Sequence, residues 1–456
     1  MDVERLRADL AAALPQGPLI VTGGVLVAEA DGAAAAEALG VERVLAIGIG
    51  RGTGPLAETA RTELHVVDPG PSATLMEAMR RTASLLADPP AEMVELIDAF
   101  DPAGEAWVLL DPTSRQPTLC GRPVFGIRRP EWWALEDKTT NDALFTDAGV
   151  TTAPSRIVAP ADAATAAAEL DDGAGTVWSG DALEGFNGGG EYVRVVDDDA
   201  SAAEATEFFG GRVERLRIAP FLEGLPCSIH GLVLDGSVVT FRPIELVNFR
   251  VAGRSQLLFA GVGEGWVAPH DVATELKSVA RRVGAHLASS VGYRGAFGVD
   301  GVLTPDGFRP TELNPRLSGG FFRIQRSVAE VPLRLLDAAV RAGTLTLADA
   351  DEFERWAVDR LRDAVHPRLG MPVPRRFEDE QTRWFARDDA GRWSLTDDEA
   401  AASAVVTIGP AAMGGFMRVD ATDRWVHDGS PVRGDAAALI GLIDAEYDLG
   451  LGRILA

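Results

Sequence analysis

The chain has 456 residues, a length that predicts two to four domains rather than one hydrophobic core. Hydrophobic residues make up 46% of it, but no stretch approaches the ~18 consecutive apolar residues of a membrane span, and the charged amino terminus does not resemble a signal peptide. The formal net charge of −25 disfavours nucleic acids and anionic membranes as partners, so we expect a soluble, cytoplasmic protein.

The first part of the chain alternates between strand and helix patterns. Residues 18–50 read as strand, helix and strand, and further strands are predicted at 106–112 and 122–130. This alternation predicts a small α/β domain over residues 1–130. The glycine-rich loop 48–54 follows a strand, but its spacing is not G-x-G-x-x-G, and no clear helix opens directly behind it. A flexible turn after a buried strand is therefore preferred to a dinucleotide site.

The pattern of the sequence changes after this first domain. A helix is predicted near 136–149, and strands, an alanine-rich helix and a glycine-rich stretch follow it. The segment 271–290 carries apolar residues at helical spacing, which predicts an amphipathic helix. Residues 349–456 resume with charged helices and short strands and end in a helix predicted at 435–447. This last part is expected to be a separate α+β unit.

Two extended runs of residues surround Pro305, Asp306 and Gly307, which suits a hairpin with a three-residue loop and a glycine in the left-handed conformation. Counting outward from residue 306 predicts three cross-strand pairs: Thr304 with Phe308, Val302 with Pro310, and Asp300 with Glu312. Side chains two residues apart on a strand share a face, so Asn314 and Arg316 extend the row that Glu312 begins. One face of the hairpin would then present all four polar residues.

This row of side chains has a chemical meaning. Like charges directly opposite each other destabilise a sheet unless a cation compensates them, and carboxylate and amide oxygens are the hard ligands that suit Mg²⁺. Arg316 is placed to bind a phosphoryl or acyl-phosphate group. A solvent-facing hairpin with ordinary polar alternation is the alternative, but four such residues in one row favour a site.

The run GVDGVLTPDGFRPTELNPRLSGG resembles the metal-binding core of the ATP-grasp superfamily, whose strands carry an acidic residue and then Glu-x-Asn, often continued as Pro-Arg. The resemblance implies an ATP-grasp fold of mixed α/β and α+β class, with two lobes that hold ATP, over residues 131–348. The smaller lid lobe would cover about 137–217, and the metal-binding lobe about 218–348. The first domain is similar to the small α/β domain that precedes the grasp.

The resemblance also implies roles for individual residues. In the family, two Mg²⁺ ions, or Mn²⁺ in their place, bridge the β- and γ-phosphates of ATP. Asp300, Glu312 and Asn314 would be their ligands, and Arg316 would stabilise the transferring phosphoryl group. Lys138 is similar to an early basic residue of the family that reaches the nucleotide phosphates, and it is one of only two lysines among 43 basic residues. The plainer interpretation of Lys138 is a surface lysine at the start of a helix.

The nucleotide-binding end departs from the family pattern in its phosphate-covering loop. The glycine-rich stretch at 185–190 is similar to that loop, and Gly188 and Gly189 would let backbone N–H groups approach the phosphates. The second lysine expected before this loop is missing, because Trp178 or Ser179 stands in its place. Arg194 or another cation would have to substitute for it.

The segment 218–224 looks like the hinge that holds adenine. The residues carried over to ATP binding from this segment are Pro220, Phe221, Leu222 and Glu223. The acidic residue usual at the start of the hinge is Ala219 here, and Pro226 stands where a ribose-binding carboxylate is expected, so Glu223 is assigned to the ribose only as a guess. Further along, Arg242 and Glu245 are predicted to contact phosphate or substrate, although a pair of surface charges would look the same in the sequence.

These features predict an ATP-dependent ligase that joins a carboxylate to an amine, with an amino acid or peptide suspected as substrate. The order of the motifs looks most like that of the peptide-forming ligases of natural-product pathways. One alternative is an ATP-grasp carboxylase or a carbamoyl-phosphate-type enzyme that uses bicarbonate. A different class is a degenerate nucleotide-binding or scaffold protein, which the missing lysine and ribose carboxylate motivate. The sequence leaves the oligomeric state open, homo-oligomers included.

Overall fold

A computed structural model of the protein describes residues 1–180, 188–263, 265–362, 367–425 and 428–455. Among these residues the chain forms four main sheets with helices packed on them. None of the described helices combines the length and the apolar character that crossing a membrane requires.

The N-terminal sheet is parallel and has the strand order β3-β2-β1-β4. Its strands are β1 (Leu19–Thr22), β2 (Val44–Ile49), β3 (Thr62–Val67) and β4 (Trp107–Leu110). Its helices are α1 (Val3–Ala13), α2 (Leu26–Glu37), α3 (Leu75–Ala87) and α4 (Ala91–Phe100). Strands β1 and β2 are buried along their whole length, as expected for a parallel sheet covered on both faces. The α/β character predicted for this region is confirmed.

One prediction for this region needs correction. The strand predicted at 122–130 is only a two-residue strand, β6 (Arg122–Pro123), paired with β5 (Thr118–Leu119). The glycine-rich loop 48–54 follows the buried strand β2, and Gly54 at its end donates its N–H to a carboxylate oxygen of Glu380 at 2.8 Å. The loop therefore packs against the C-terminal part of the chain.

A short connecting region leads into an antiparallel sheet with the order β7-β10-β8-β9, called here the small sheet. The connection contains α5 (Pro130–Trp133), a 3-10 turn at 134–136 and α6 (Asn141–Asp147). The strands of the small sheet are β7 (Arg156–Val158), β8 (Thr176–Gly180), β9 (Val193–Val196) and β10 (Leu216–Pro220), and its helices are α7 (Ala163–Leu170) and α8 (Asp199–Phe209). Trp178, Phe209 and Ile218 fill the core between the sheet and these helices.

The large sheet follows directly on β10 and has the order β14-β13-β11-β15-β16. Its strands are β11 (Leu225–Val233), β12 (Val238–Thr240), β13 (Ile244–Val251), β14 (Leu258–Gly263), β15 (Gly295–Thr304) and β16 (Gly307–Asn314). Helix α9 (His270–Val291) packs on the sheet through Leu276, Val279, Val283 and Leu287, so the predicted amphipathic helix is confirmed. Helices α10 (Gly319–Ser327) and α11 (Leu333–Ala342) follow the hairpin.

The hairpin of β15 and β16 confirms one predicted pair and corrects two others. Asp300 lies opposite Glu312 as predicted, but Thr304 pairs with Gly307 across a two-residue turn, and Gly301 pairs with Pro310. A β-bulge at Thr311, the residue left over between these pairs, restores the register at Glu312. A bulge is favoured here because the preceding Pro310 lacks an N–H for the ladder.

The C-terminal part has an antiparallel sheet with the order β17-β21-β20-β18-β19. Its elements are α12 (Ala350–Arg362), β17 (Arg368–Val373), β18 (Gln381–Arg387), β19 (Trp393–Thr396), β20 (Ala404–Ala411), β21 (Gly414–Ala421), α13 (Arg433–Tyr447) and β22 (Ile454–Leu455). Strand β22 pairs with β13, and Val247 and Phe249 of β13 share a buried cluster with Phe385 and Leu439. The predicted C-terminal helix is confirmed, and this part is joined to the large sheet by a common core.

Candidate active site

The predicted polar row lies at the edge of the large sheet and is connected by hydrogen bonds. Asn314 donates from Nδ2 to Oδ2 of Asp300 at 3.0 Å, and Arg316 donates from Nη2 to Oδ1 of Asn314 at 3.0 Å. Asp300 and Glu312 are directly opposite each other in the ladder. The structure therefore brings together all four residues of the row that the sequence predicts.

Lys138 also reaches this row, from the segment between α5 and α6. Its Nζ lies 2.5 Å from Oε1 of Glu312, and the side chain is only 6% exposed. Asn141, which is fully buried, holds this segment against β16, because its Oδ1 accepts the backbone N–H of Leu313 at 2.7 Å. Lys138 is thus not a surface lysine. Asn141 gave no recognisable signal in the sequence.

A second charged cluster adjoins the row. Glu136 accepts through Oε1 from Arg128 Nη1 at 2.5 Å and from Arg316 Nε at 3.2 Å. The side chain of Arg128 is completely buried, and those of Glu136 and Arg316 are 12% and 13% exposed. Arg316 is therefore held between Asn314 and Glu136. Sequence reasoning missed this cluster because Glu136 is separated from Arg316 by 180 residues.

The two carboxylates in the site respond to their surroundings in opposite directions. Burial, and then the facing charge of Glu312, raise the pKa of Asp300 to about 6, against hydrogen bonding from Ser228 and the charges of Lys138 and Arg316. For Glu136 burial also opposes ionisation, but the neighbouring Arg316 and Arg128 outweigh it and lower the pKa. The surroundings therefore favour the protonated form of Asp300 and the ionised form of Glu136.

The row fits a Mg²⁺ ion that is shared with a phosphate ligand. Among the described residues no group of three or more His, Cys, Asp and Glu side chains forms a metal cage. Mg²⁺ usually binds through one or two carboxylates and completes its coordination with water and phosphate oxygens, so such a cage is not needed. The two facing carboxylates, one of which already holds the ammonium group of Lys138, indicate a place for a cation.

The predicted hinge connects β10 to β11 and so joins the small sheet to the large one. Pro220, Phe221 and Leu222 are half-buried there, and Glu223 is exposed. The backbone N–H of Phe221 is used within the protein, since it donates to the carbonyl of Gly175 at 2.8 Å. The guanidinium of Arg250 lies 5.5 Å from the centre of the Phe221 ring. Adenine binding by this segment stays a prediction.

The glycine-rich loop lies partly outside the described residues, which omit 181–187. Gly188 is buried and accepts the N–H of Glu191 at 3.1 Å, while Gly189 is exposed and has a φ of +57°. Glu191 in turn accepts a hydrogen bond from Thr74 at 3.1 Å, so this end of the loop touches the N-terminal part. The predicted phosphate contacts of both glycines remain untested.

Trp178 and Ser179, which stand where the second lysine is expected, point to opposite faces of the small sheet. Trp178 is buried in the core beneath α7 and α8, and Arg194, its cross-strand partner, lies 3.6 Å from the centre of the Phe208 ring. Arg194 is therefore held on the helix side. Ser179 pairs with Arg217 on the opposite face, and Arg217 makes two hydrogen bonds to the carboxylate of Asp142, at 2.6 and 2.9 Å.

The structure places Glu245 away from the row, which corrects that predicted contact, whereas the contact predicted for Arg242 stays a prediction. Glu245 is fully buried, and its oxygens accept the N–H groups of Val432 at 2.6 Å and Arg433 at 3.0 Å at the start of α13. Its neighbour Ile244 pairs with Ser228, which is opposite Asp300, so alternation puts Glu245 on the other face of the sheet. Arg242 Nη1 donates to the carbonyl of Leu361 at 2.7 Å.

No protein-family model matches the sequence, and comparison with curated proteins finds no match. Solved structures are similar. An ADP complex of N5-carboxyaminoimidazole ribonucleotide synthetase has a TM-score of 0.50 at 13% identity, covering 95% of this chain and 98% of that one. Pyruvate carboxylase from Rhizobium etli has a TM-score of 0.53 at 16% identity, over 93% of this chain and 37% of that one.

A third similar structure is the biotin carboxylase domain of the 2-oxoglutarate carboxylase from Hydrogenobacter thermophilus, in complex with MgADP, ADP and bicarbonate. Its TM-score is 0.50 at 13% identity, over 88% of this chain and 86% of that one. At such low identity these likenesses show the fold alone. They confirm the predicted ATP-grasp fold with a preceding α/β domain.

Proposed function

We propose that this protein is an ATP-dependent carboxylate–amine ligase that forms an amide or peptide bond through an acyl phosphate. The observation that carries the proposal is the connected row of Asp300, Glu312, Asn314 and Arg316, with Lys138 resting on it. The ATP-grasp fold supports a nucleotide held between the small and the large sheet. We also propose the division into units 1–130, 131–348 and 349–456.

The reaction needs no side-chain nucleophile. A carboxylate oxygen of the first substrate attacks the γ-phosphorus of ATP, the bond to the bridging oxygen breaks, and ADP leaves. The nitrogen of the amine then attacks the acyl carbon, loses a proton to solvent and expels inorganic phosphate. Positioning and charge neutralisation are the main contributions that a protein makes to such phosphoryl transfers.

Each residue of the row has a task in this scheme. Asp300, Glu312 and Asn314 would hold Mg²⁺, which when bound neutralises charge on the phosphates. Arg316, fixed in place by Asn314 and Glu136, presents its guanidinium to the transferring phosphoryl group. Lys138 exchanges Glu312 for a phosphate oxygen when the nucleotide binds. Gly188 and Gly189 and the hinge residues Pro220, Phe221, Leu222 and Glu223 complete the proposed nucleotide site.

A second candidate is an ATP-dependent enzyme that activates bicarbonate. It is suggested by the three similar structures named above, which are carboxylation-type enzymes by name, one of them in complex with bicarbonate. Bicarbonate is itself a carboxylate, so the same row serves both reactions. The two candidates differ in the carboxylate that ATP phosphorylates, which is bicarbonate in one and an organic carboxylic acid in the other.

One experiment separates these candidates. The purified protein with Mg·ATP is given amino acids in pairs, small carboxylic acids with amines, or bicarbonate with amines, and phosphate release is measured. Ligase activity predicts phosphate release that requires both a carboxylic acid and an amine, and a product whose mass equals their sum minus water. Release that depends on bicarbonate alone supports the second candidate. Absence of Mg·ADP binding in a calorimetric titration contradicts both and leaves the scaffold class.

Substitutions in the hairpin test the site itself. Asp300→Asn, Glu312→Gln and Arg316→Met should each reduce substrate-dependent phosphate release by at least about 100-fold, since each removes a charge that stabilises the transferring group. Asp306→Asn is the matched control, because Asp306 lies exposed at the tip of the same hairpin. Wild-type turnover in the three row variants would show that the site is misplaced.

A further inference from the structure

A second row of side chains lies beside the carboxylates on the same face of the large sheet. The first row runs Ser228, Asp300 and Glu312 across β11, β15 and β16, and the next runs His230, Gly298 and Asn314. Side chains two residues apart along a strand share a face, so both rows point to the same side.

Gly298 has no side chain, and Ser318 occupies the space that a side chain at this position of the second row would take. A Cβ placed on Gly298 would lie 3.3 Å from Oγ of Ser318 and 3.2 Å from Cδ2 of His230. The Ser318 hydroxyl therefore lies over Gly298, on the face that carries Asp300, and beside His230. Gly298 pairs with Asn314 in the ladder, and Asn314 contacts both Asp300 and Arg316, so Ser318 borders the proposed site.

His230 makes the contact that fixes Ser318. Its Nε2 lies 2.9 Å from Ser318 Oγ and 3.5 Å from Ser228 Oγ. The imidazole is 1% exposed and packs edge-on against Phe321, with ring centres 5.0 Å apart. A side chain on Gly320 would overlap the imidazole ring, so this glycine is needed for the arrangement. The ring has no room to turn away.

The hydrogen bonds that connect Asp300, Ser228, His230 and Ser318 have a defined donor and acceptor at each step. Ser228 lies directly opposite Asp300 in the ladder, where its hydroxyl can donate to the carboxylate, which only accepts. Of the two ring nitrogens of His230, Nδ1 is buried and has no hydrogen-bond partner in the described part of the chain, whereas Nε2 lies 2.9 Å from Ser318 Oγ, so we assign the ring proton to Nε2, where it has an acceptor. Burial lowers the pKa of His230 to about 3, so the ring is neutral and has one N–H. Ser318 Oγ therefore accepts from His230 and keeps its own proton free to donate elsewhere.

The position of Ser318 in the chain supports a special role. It is the N-cap residue of α10, where a serine hydroxyl ordinarily accepts a backbone N–H of the first helical turn. Ser318 makes no such side-chain cap bond. Within the described part of the chain, His230 is the side chain that engages its hydroxyl instead. The helix thus forgoes a common stabilising contact.

We propose that His230 is a positioning residue of the ligase: as the neutral Nε2–H tautomer it turns two serine hydroxyls in opposite directions, Ser228 towards Asp300 and Ser318 towards an anionic substrate beside Arg316. The substrate class, a carboxylate or acyl phosphate, rests on the proposed function. The tautomer of His230 and the direction of the two serine hydroxyls are independent of the proposed function. If His230 served only for packing, neither its tautomer nor the direction of the two serine hydroxyls would be fixed.

The first test is independent of any substrate. Nitrogen-15 NMR of the protein labelled in its six histidines reports the tautomer of each ring, and His230→Gln identifies the signals of His230 by their loss. We expect a neutral Nε2–H ring that does not titrate between pH 5 and pH 8. An Nδ1–H tautomer, or titration within this range, would overturn the proposal even if ligase activity were established.

The second test uses the carboxylate that the substrate panel identifies. Ser318→Ala and His230→Leu should each reduce kcat/KM for the carboxylate by roughly 10- to 100-fold, as expected for losing a hydrogen bond to a charged group. The KM for ATP should change less than about twofold in each. His230→Gln, whose amide N–H can take the place of Nε2–H, should recover part of the loss.

The double variant of His230→Leu with Ser318→Ala distinguishes positioning from packing. If His230 acts through Ser318, the double variant should be no worse than the worse single variant. Additive losses, or unchanged kinetics in Ser318→Ala, would overturn the proposal. Should the panel yield no substrate, the proposed function fails, and the NMR result still decides the tautomer.

Discussion

Replacing Glu136 with glutamine should destabilise the protein, because Glu136 is the partner of a completely buried arginine. The substitution leaves the guanidinium of Arg128 without a counter-charge at 2.5 Å and weakens the contact to Arg316 at 3.2 Å. Removing one member of a buried ion pair costs about 3–5 kcal/mol. The glutamine oxygen still accepts one hydrogen bond, so we expect a loss of about 3 kcal/mol in the free energy of unfolding.

Urea denaturation followed by tryptophan fluorescence measures this loss, with Glu131→Gln as the matched control. Glu131 is exposed and lies in the same short helix region, so its substitution should change stability by less than about 0.5 kcal/mol. The lowered pKa of Glu136 fixes the pH dependence: its contribution is present above the unfolded pKa and is lost as pH falls through the folded pKa. A Glu136→Gln variant as stable as the control at pH 7 would refute the reasoning.

Three further predictions follow from buried polar groups. Lys138→Met should reduce substrate-dependent phosphate release by at least about 100-fold, whereas Lys277→Met, outside the site, should retain it. Asn141→Ala should lower the free energy of unfolding by about 2 kcal/mol in urea denaturation, because it leaves the buried N–H of Leu313 unpaired. Burial raises the pKa of Glu245 from 4.5 to about 7, so its contribution to stability is present below pH 4.5 and lost as pH rises through 7. In Glu245→Gln the decline in unfolding free energy between pH 5 and pH 8 should be smaller than in the wild type, by up to about 3 kcal/mol.

The hairpin shows how a sequence can predict the right contact from a partly wrong register. The three-residue loop assumed by counting is a two-residue turn, which shifts every pair by one residue. The bulge at Thr311 adds one residue to the same strand and cancels the shift at Glu312. The alternation that carries Asn314 and Arg316 begins after the bulge, so the row was predictable even though the bulge was not.

The remaining parts of the site were not predictable because they depend on tertiary contacts. Glu136 is an ordinary acidic residue in the sequence, and only the packing of its segment against the hairpin reveals its two arginine partners. Glu245 is predicted from the sequence to contact phosphate or substrate because it is charged and lies on a strand. Instead, Glu245 is buried under α13, where its carboxylate accepts backbone N–H groups at the start of that helix. The local sequence pattern contains no information on this tertiary contact.

The placement of Lys138 follows from the charge balance of the row. Asp300 and Glu312 face each other at the edge of the sheet, and two ionised carboxylates there repel unless a cation lies close. In this structure the cation is the ammonium group of Lys138 on Glu312, while burial and then the facing charge of Glu312 raise the pKa of Asp300. A divalent ion shared by both carboxylates would relieve this repulsion and free Lys138 for a second anion. In the proposed site, the same lysine would balance Glu312 before the nucleotide binds and contact a phosphate afterwards.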